Sequence, residues 1–220
     1  MRYSFPILTF IEILLHSCCI MAQNQHLEEK DSLLVKKLND SSLHYAYSNS
    51  LKSIDFGKKA LKVALELREL KSEAYAHISL ARAYYIKGDY ESSLNHGTAL
   101  LKISNNINYG HGVAYSINNA GLIFLGQDNY KAALEEFYKA LEINKKLNNL
   151  FGQSSNLFNI ALCQINFKQY DLALESLERC SKLAQKSNPR VYIMAFNRLG
   201  DIAFETKQAK SALINYKKAI

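Results

Sequence analysis

Proline occurs only twice in this chain, at Pro6 and Pro189, and glycine only nine times in 220 residues. An all-β protein of that length needs many more turn residues, so the scarcity points to helices joined by short turns. Cysteine is scarce too. Cys18 and Cys19 fall in an apolar N-terminal stretch, which leaves Cys163 and Cys180, with no CxxC pair and no histidine at ligand spacing. That pattern gives no zinc site. The two remaining thiols read as small buried side chains, or as a disulfide between neighbouring helices in an oxidising compartment. Catalytic signatures are missing as well: there is no HExxH, P-loop, GxSxG or dinucleotide glycine pattern. Gly110-His111-Gly112 lacks the preceding strand that a phosphate cradle needs. The six histidines stand apart in the sequence, His77 on a packing face, His96 and His111 near turns. Carboxylate pairs such as Glu135-Glu136 fall on a helix surface rather than in a cleft. The expectation is a chain without catalytic residues, metal or cofactor.

What is present begins with an ordinary folded composition, 48% hydrophobic and 21% charged. The formal charge of +7 comes from lysines scattered along the chain, as in Lys36-Lys37, Lys58-Lys59, Lys145-Lys146 and Lys217-Lys218. Each pair sits where a helix would show its outer face, so a solvated surface is expected rather than a nucleic-acid track. The first 22 residues differ. Arg2 is followed by an apolar stretch from Phe5 to Ile20, then Met21-Ala22 and the polar Gln23-Asn24-Gln25. These are the three parts of a secretory signal, with cleavage expected after Ala22. The stretch contains Glu12 and His16, and is short for a membrane span, which needs about 20 apolar residues. An uncleaved anchor or a lipoprotein signal at Cys18 are the other readings. Export, to the periplasm or the cell envelope, is the expected localisation.

The rest of the chain repeats itself. Lys87-Gly88-Asp89-Tyr90 is echoed by Gln127-Asp128-Asn129-Tyr130 forty residues on and by Lys168-Gln169-Tyr170 after another forty; a last copy centres on Ala209. Apolar residues within each unit keep helical spacing, with Leu80, Ala81 and Tyr84 on a first helix and Tyr90, Leu94 and Leu101 on a second. Small residues recur with them: Gly121 with Ala133 and Ala140, Ala161 with Ala173 and Cys180, Gly200 with Ala212 and Ala219. Small side chains on both helices let their axes approach, and a large Tyr130 or Tyr170 fills the end of the pair. A single two-helix unit cannot bury its apolar face, so the units must stack.

The run Ile117-Asn118-Asn119-Ala120-Gly121, Tyr130-Lys131-Ala132-Ala133-Leu134 and Phe137-Tyr138-Lys139-Ala140-Leu141 resembles the tetratricopeptide repeat family. The resemblance covers roughly residues 41–220 and differs from the common 34-residue form in length. The extra residues are expected in longer helices or in links such as Asn108–Gly112 and Asn148–Gly152. It implies an all-α solenoid of about five helix–turn–helix units. Residues 1–22 would be the signal peptide, 23–40 a lead-in helix, and 41–220 the solenoid, cut within its last unit. Ser41 and His44 make the first unit atypical, as capping requires.

In that family the free face of each first helix lines an inner groove, so the resemblance implies a partner site. Its residues here are Tyr75, Ile78, Arg82 and Tyr85, then Tyr115, Asn118, Leu122 and Leu125. Next come Ser155, Phe158, Leu162 and Ile165, and last Met194, Asn197, Asp201 and Phe204. With Arg82 as the single cation, the strip is unsuited to nucleic acid, which demands many phosphate contacts. A protein or peptide partner fits, either an apolar peptide or a helix, with Asn118 and Asn197 bonding its backbone. Asn119 and Asn159 are expected to satisfy polar groups between helices instead. The functional expectation is therefore a non-catalytic scaffold. The alternative is the extracytoplasmic sensor region of a membrane-bound regulator, a histidine kinase or a helix-turn-helix transcription regulator. A regulator would continue past Ile220 into a membrane span of roughly 20 apolar residues and then positive charge. A repeat module fused to an enzyme is the third class.

Overall fold

The computed structural model describes residues 31–220, whose regular structure is entirely helical. The expected signal segment 1–22, with Cys18 and Cys19, lies outside the described residues, as does the lead-in up to residue 30. The helices are α1 (31–45), α2 (Ser50–Leu67), α3 (Leu70–Lys87), α4 (Tyr90–Asn106), α5 (Gly110–Gly126), α6 (Tyr130–Lys146), α7 (Leu150–Asn166), α8 (Tyr170–Ser187), α9 (Pro189–Glu205) and α10 (Ala209–Lys218). From α2 onward each helix packs on the next in chain order, and α3, α5, α7 and α9 also touch in sequence. The second helices α4, α6, α8 and α10 do not touch one another. First helices thus form a tight inner layer and second helices a splayed outer one, which curves the stack. The chain is an all-α superhelix of five helix–turn–helix units, as the repeat predicts. Among the described residues no helix is long and apolar enough to cross a membrane.

The joints explain the period. A residue in the left-handed region ends the helix at Arg68, Gly88, Asn108, Asp128, Asn148, Lys168 and Lys207. These positions lie 20 residues apart from 68 to 168 and 39 apart at the end. At each, the next residue's N–H reaches back five residues, as from Asp89 to the Tyr84 carbonyl at 2.9 Å and from Asn149 to Asn144 at 2.9 Å. That closes the helix with a Schellman-type cap. The same residue then opens the following helix as its N-cap. Asp89, Asn129 and Asn149 accept from the N–H three residues on, at 3.0, 3.3 and 3.2 Å. Turns within units and turns between units are therefore alike. The longer links expected at 108–112 and 148–152 do not form, because Gly110, Gly112 and Gly152 are already helical. The residues beyond 34 per unit lengthen the helices instead. Helix α1 likewise runs unbroken through residues 40 and 41. Its buried stripe of Val35, Asn39 and Ser42 continues to Ala46 just past its end and spans that boundary.

Packing between helices alternates rings with glycines and hydroxyls with carbonyls. A Cβ on Gly121 would stand 2.7 Å from the Phe137 ring, so the missing side chain admits a fully buried phenylalanine. Ser42 and Ser53 clasp α1 to α2, each hydroxyl donating to the other's carbonyl at 2.8 and 2.7 Å. Tyr90, Tyr130 and Tyr170 do more than fill the end of their own pair, where Tyr90 stacks on Tyr85. They also reach the end of the next unit's first helix, at Gly126, Phe167 and Glu205 respectively. Cys163 and Cys180 are both free and buried. Burial pushes the Cys163 thiol up to about 11 and Cys180 to about 12, so both are protonated and inert. The lysine pairs named above are exposed throughout.

Left-handed backbone costs a β-carbon-bearing residue about 1–2 kcal/mol, while glycine there is unstrained. Lys168→Gly should therefore raise stability by about 0.5–1 kcal/mol in urea denaturation, despite glycine's larger unfolded-state entropy. Gly121→Ala should lose about 1–3 kcal/mol through overpacking. Combined with Phe137→Leu it should lose less than the sum of the two single changes, since the clash belongs to that pair.

Candidate functional site

The inner face is not one continuous groove. Tyr75 and Ile78 line a hollow of about 660 Å3 between α1 and α3, with Leu33, Leu43, Lys36 and Lys71 around it. Arg82, Tyr115 and Asn118 meet in a smaller one of about 120 Å3, closed by His111, Phe151, Ser155 and Asn156. Ile165 and Phe204 share a third, of about 240 Å3, with Arg198, Asp201 and Tyr216. Between the last two, Leu122, Leu125 and Leu162 are half-buried against the core and act mainly as seam between first helices, as does Met194. Phe158 is buried to 4% exposure and belongs to that core, which corrects its place in the expected strip. It is part of the buried cluster formed with Phe137, Leu157, Ile160 and Leu177. Asn197 is exposed but lines none of the three hollows. Tyr85 stacks on Tyr90 with ring centroids 5.8 Å apart.

The middle hollow has the most ordered chemistry. Tyr115 donates its hydroxyl hydrogen to the Ile78 carbonyl at 3.3 Å, spanning α5 to α3. The Arg82 guanidinium sits 5.8 Å from the Tyr115 ring centroid, and the Tyr115 hydroxyl holds its pKa above the usual value against the effect of burial. Asn118 ends a chain of carboxamides. Asn149 donates to Asn144 at 2.7 Å, Asn144 to Asn156 at 2.8 Å, and Asn156 to Asn118 Oδ1 at 2.9 Å. Asn159 adds a second donor to the same oxygen at 3.1 Å. Both lone pairs of that carbonyl are used, which leaves the NH2 as the remaining hydrogen-bonding group of Asn118, a residue that lines the hollow. Asn119 is engaged elsewhere, exchanging hydrogen bonds with Ser93, and Asn159 serves Asn118. Both therefore act between helices, as their places predict.

Several inner-face residues escape pattern reading. Asn156, His111 and Phe151 are off the i, i+3, i+7 stripe yet line the middle hollow. Cations outside the strip also border the inner face, since Lys36 and Lys71 flank the first hollow. Tyr47 and Arg190 come from opposite ends of the chain, and the guanidinium lies 3.4 Å from the tyrosine ring centroid. Among the described residues there is no group of three or more His, Cys, Asp or Glu able to hold a metal ion.

Comparison with known proteins agrees with this geometry. Sequence profiles of the tetratricopeptide repeat match residues 72–146, on α3 to α6, and residues 154–187, on α7 and α8. These segments are tetratricopeptide repeats. No curated protein matches the chain in sequence. Among solved structures, BtubC (BKLC) from P. vanneervenii is similar with a TM-score of 0.60 at 18% identity, over 87% of this chain and 89% of that one. Aspartyl phosphate phosphatase F from Bacillus subtilis gives 0.70 at 17% identity, over 93% of this chain and 54% of that one. A Rap protein complexed with competence and sporulation factor gives 0.64 at 16% identity, over 87% and 63%. Likeness at such identities shows a shared solenoid fold.

One titratable pair lies apart from the inner hollows. His77 and His96 are neighbours after all, Nδ1 to Nδ1 at 2.9 Å between α3 and α4, with Tyr84 stacked on His96. At that distance one nitrogen donates and the other accepts, so at least the accepting ring is neutral. Burial, then the neighbouring His96, pushes His77 down to about 4, and burial also lowers His96. Glu73 stands 3.8 Å from His77 Nε2, too weakly placed to reverse this. Because the folded pKa values are depressed, the unfolded chain takes up protons first. The stabilisation is complete above about pH 6.5 and is lost as the pH falls toward 4. Urea denaturation of the parent and of His77→Gln between pH 7 and 4 should show a smaller pH slope in the variant.

Proposed function

We propose that this tetratricopeptide solenoid is a non-catalytic docking scaffold that takes an extended protein or peptide segment on its inner face, at Arg82, Tyr115 and Asn118. The observation that carries the reading is the doubly engaged carbonyl of Asn118, a residue lining the hollow, which leaves its amide NH2 as the group available to donate to a partner. Donors of that kind call for acceptors on the partner. An extended chain offers free backbone carbonyls, whereas a helix has spent its own internally. Tyr115 and Phe151 supply apolar walls beside the donors. The similar Rap protein complexed with competence and sporulation factor supports a role in which this kind of solenoid holds a partner. In this proposal the signal-like residues 1–22 export the chain, and docking takes place in the cell envelope. A sensor region ahead of a membrane helix would use the same docking step, with occupancy of the inner face as its signal.

Asn118→Asp tests the proposal directly. A carboxylate keeps the acceptor that Asn156 and Asn159 need but removes the NH2 donors. Binders selected from a displayed library of random peptides should lose at least about tenfold in affinity for the variant, measured by fluorescence anisotropy, with helical content unchanged. Tyr115→Ala should weaken the same peptides. A library that yields no binder, or peptides bound equally well by Asn118→Asp, would contradict it.

A further inference from the structure

Seven turns of the solenoid share one geometry, with a left-handed residue closing each helix. Two turns depart from it. The α1–α2 turn, residues 46–49, has no residue of positive φ, and neither has the α8–α9 joint at Asn188, whose φ is −153°. These two departures carry the two residues that meet from opposite ends of the molecule, Tyr47 and Arg190.

Each partner is held in place locally. Asn49 donates its N–H to the Tyr45 carbonyl at 2.8 Å and caps α2 at Lys52. Tyr45 stacks on Phe56 and lies under Lys52, which fixes the turn that bears Tyr47. On the other side Asn188 is buried, donates to Ser155 Oγ at 3.1 Å and accepts from the Val191 N–H at 3.3 Å. That anchors the first turn of α9 to α7 and sets the direction of Arg190. No carboxylate forms an ion pair with Arg190 among the described residues. Its guanidinium lies on the ring face instead, 3.4 Å from the centroid.

We propose that Tyr47 and Arg190 form a latch that closes the superhelix, holding the first unit to the fifth across the inner face. From α2 onward the described helices otherwise touch only helices of their own or the adjoining unit, so a contact between the first and fifth units adds an end-to-end constraint to the curvature that the joints set. Tyr47 also stands close enough to Arg82 and Tyr85 to contribute to the raised pKa of both. The closed latch therefore covers that end of the inner face, and a chain laid along Arg82 and Tyr85 has to release it. The closure itself is independent of whether the inner face takes a peptide.

The test is a distance measurement on the full chain. Nitroxide labels go on Ser48→Cys and Lys186→Cys, both exposed, with Cys18 and Cys19 replaced by serine and the buried Cys163 and Cys180 left in place. Double electron–electron resonance should give one narrow, short distance for the parent. Arg190→Gln and Tyr47→Ala should shift the closed–open balance by roughly 2- to 30-fold, the range of a single cation–π contact, and so lengthen and broaden the distribution. Tyr47→Phe should stay closed, because the ring face makes the contact. Helical content by circular dichroism confirms that each variant is folded. Parent-like distributions in both Arg190→Gln and Tyr47→Ala would overturn the latch. Opening in Tyr47→Phe as wide as in Tyr47→Ala would overturn the ring–guanidinium contact as its basis.

Discussion

A left-handed residue followed at once by an N-cap lets one helix end and the next begin within three residues. From residue 68 to residue 168 this device recurs every 20 residues, inside units and between them alike. Antiparallel neighbours of nearly equal length follow from it, since a three-residue joint leaves no slack for a crossing of another kind. The inner and outer layers follow in turn. With equal helices and equal joints, every first helix lands beside the previous first helix, and a small constant rotation per unit becomes curvature. The one-residue shortening of the period near the C-terminal end has a local cause: Asn188 and Pro189 join α8 to α9 without a left-handed residue.

Close joints force close packing, and the polar groups are dealt with accordingly. Helices brought together at Gly121 and Phe137 leave no room for water, so hydroxyls and carboxamides on facing helices must satisfy one another. Ser42 with Ser53, Ser93 with Asn119, and Asn144 with Asn156 are local solutions of that problem. One of these networks does more than satisfy itself. The carboxamide chain from Asn149 to Asn118 runs from a turn to a residue of the middle hollow. Polar satisfaction that starts at a joint thus holds the Asn118 side chain that the proposed docking role uses.

How much of this was legible in the sequence depends on the range of the interaction. The repeat, the helices and their turns are local, so Gly88, Asp89 and Tyr90 announce them wherever they recur. The face of a residue is nearly local: spacing sets Tyr75, Arg82, Tyr115 and Asn118 on one side of their helices, the family resemblance assigns that side to the inner groove, and the four line hollows there. Depth is not local. Phe158 shares the stripe of Asn118 but is buried to 4% exposure in the core cluster, because tertiary packing, and not the helix period, decides whether a stripe position is open. His77 and His96 were read as isolated since they lie on different helices of a pair, and only the packing of α3 on α4 brings their Nδ1 atoms to 2.9 Å. Tyr47 and Arg190 lie at the far limit. Their meeting sums the rotation of every unit between them, and no window of sequence contains that sum.

The same reasoning separates the partner classes. Residues such as Leu122, Leu125 and Leu162, which give the strip its apolar look in the sequence, are half-used already as seam between first helices. A helix docking by a row of apolar anchors would find few of them free. An extended segment needs less apolar area and more directed hydrogen bonds, and the middle hollow supplies the directed bonds through Asn118 with Arg82 and Tyr115 beside it. That difference is what favours an extended segment over a helix as the occupant in the docking role proposed above.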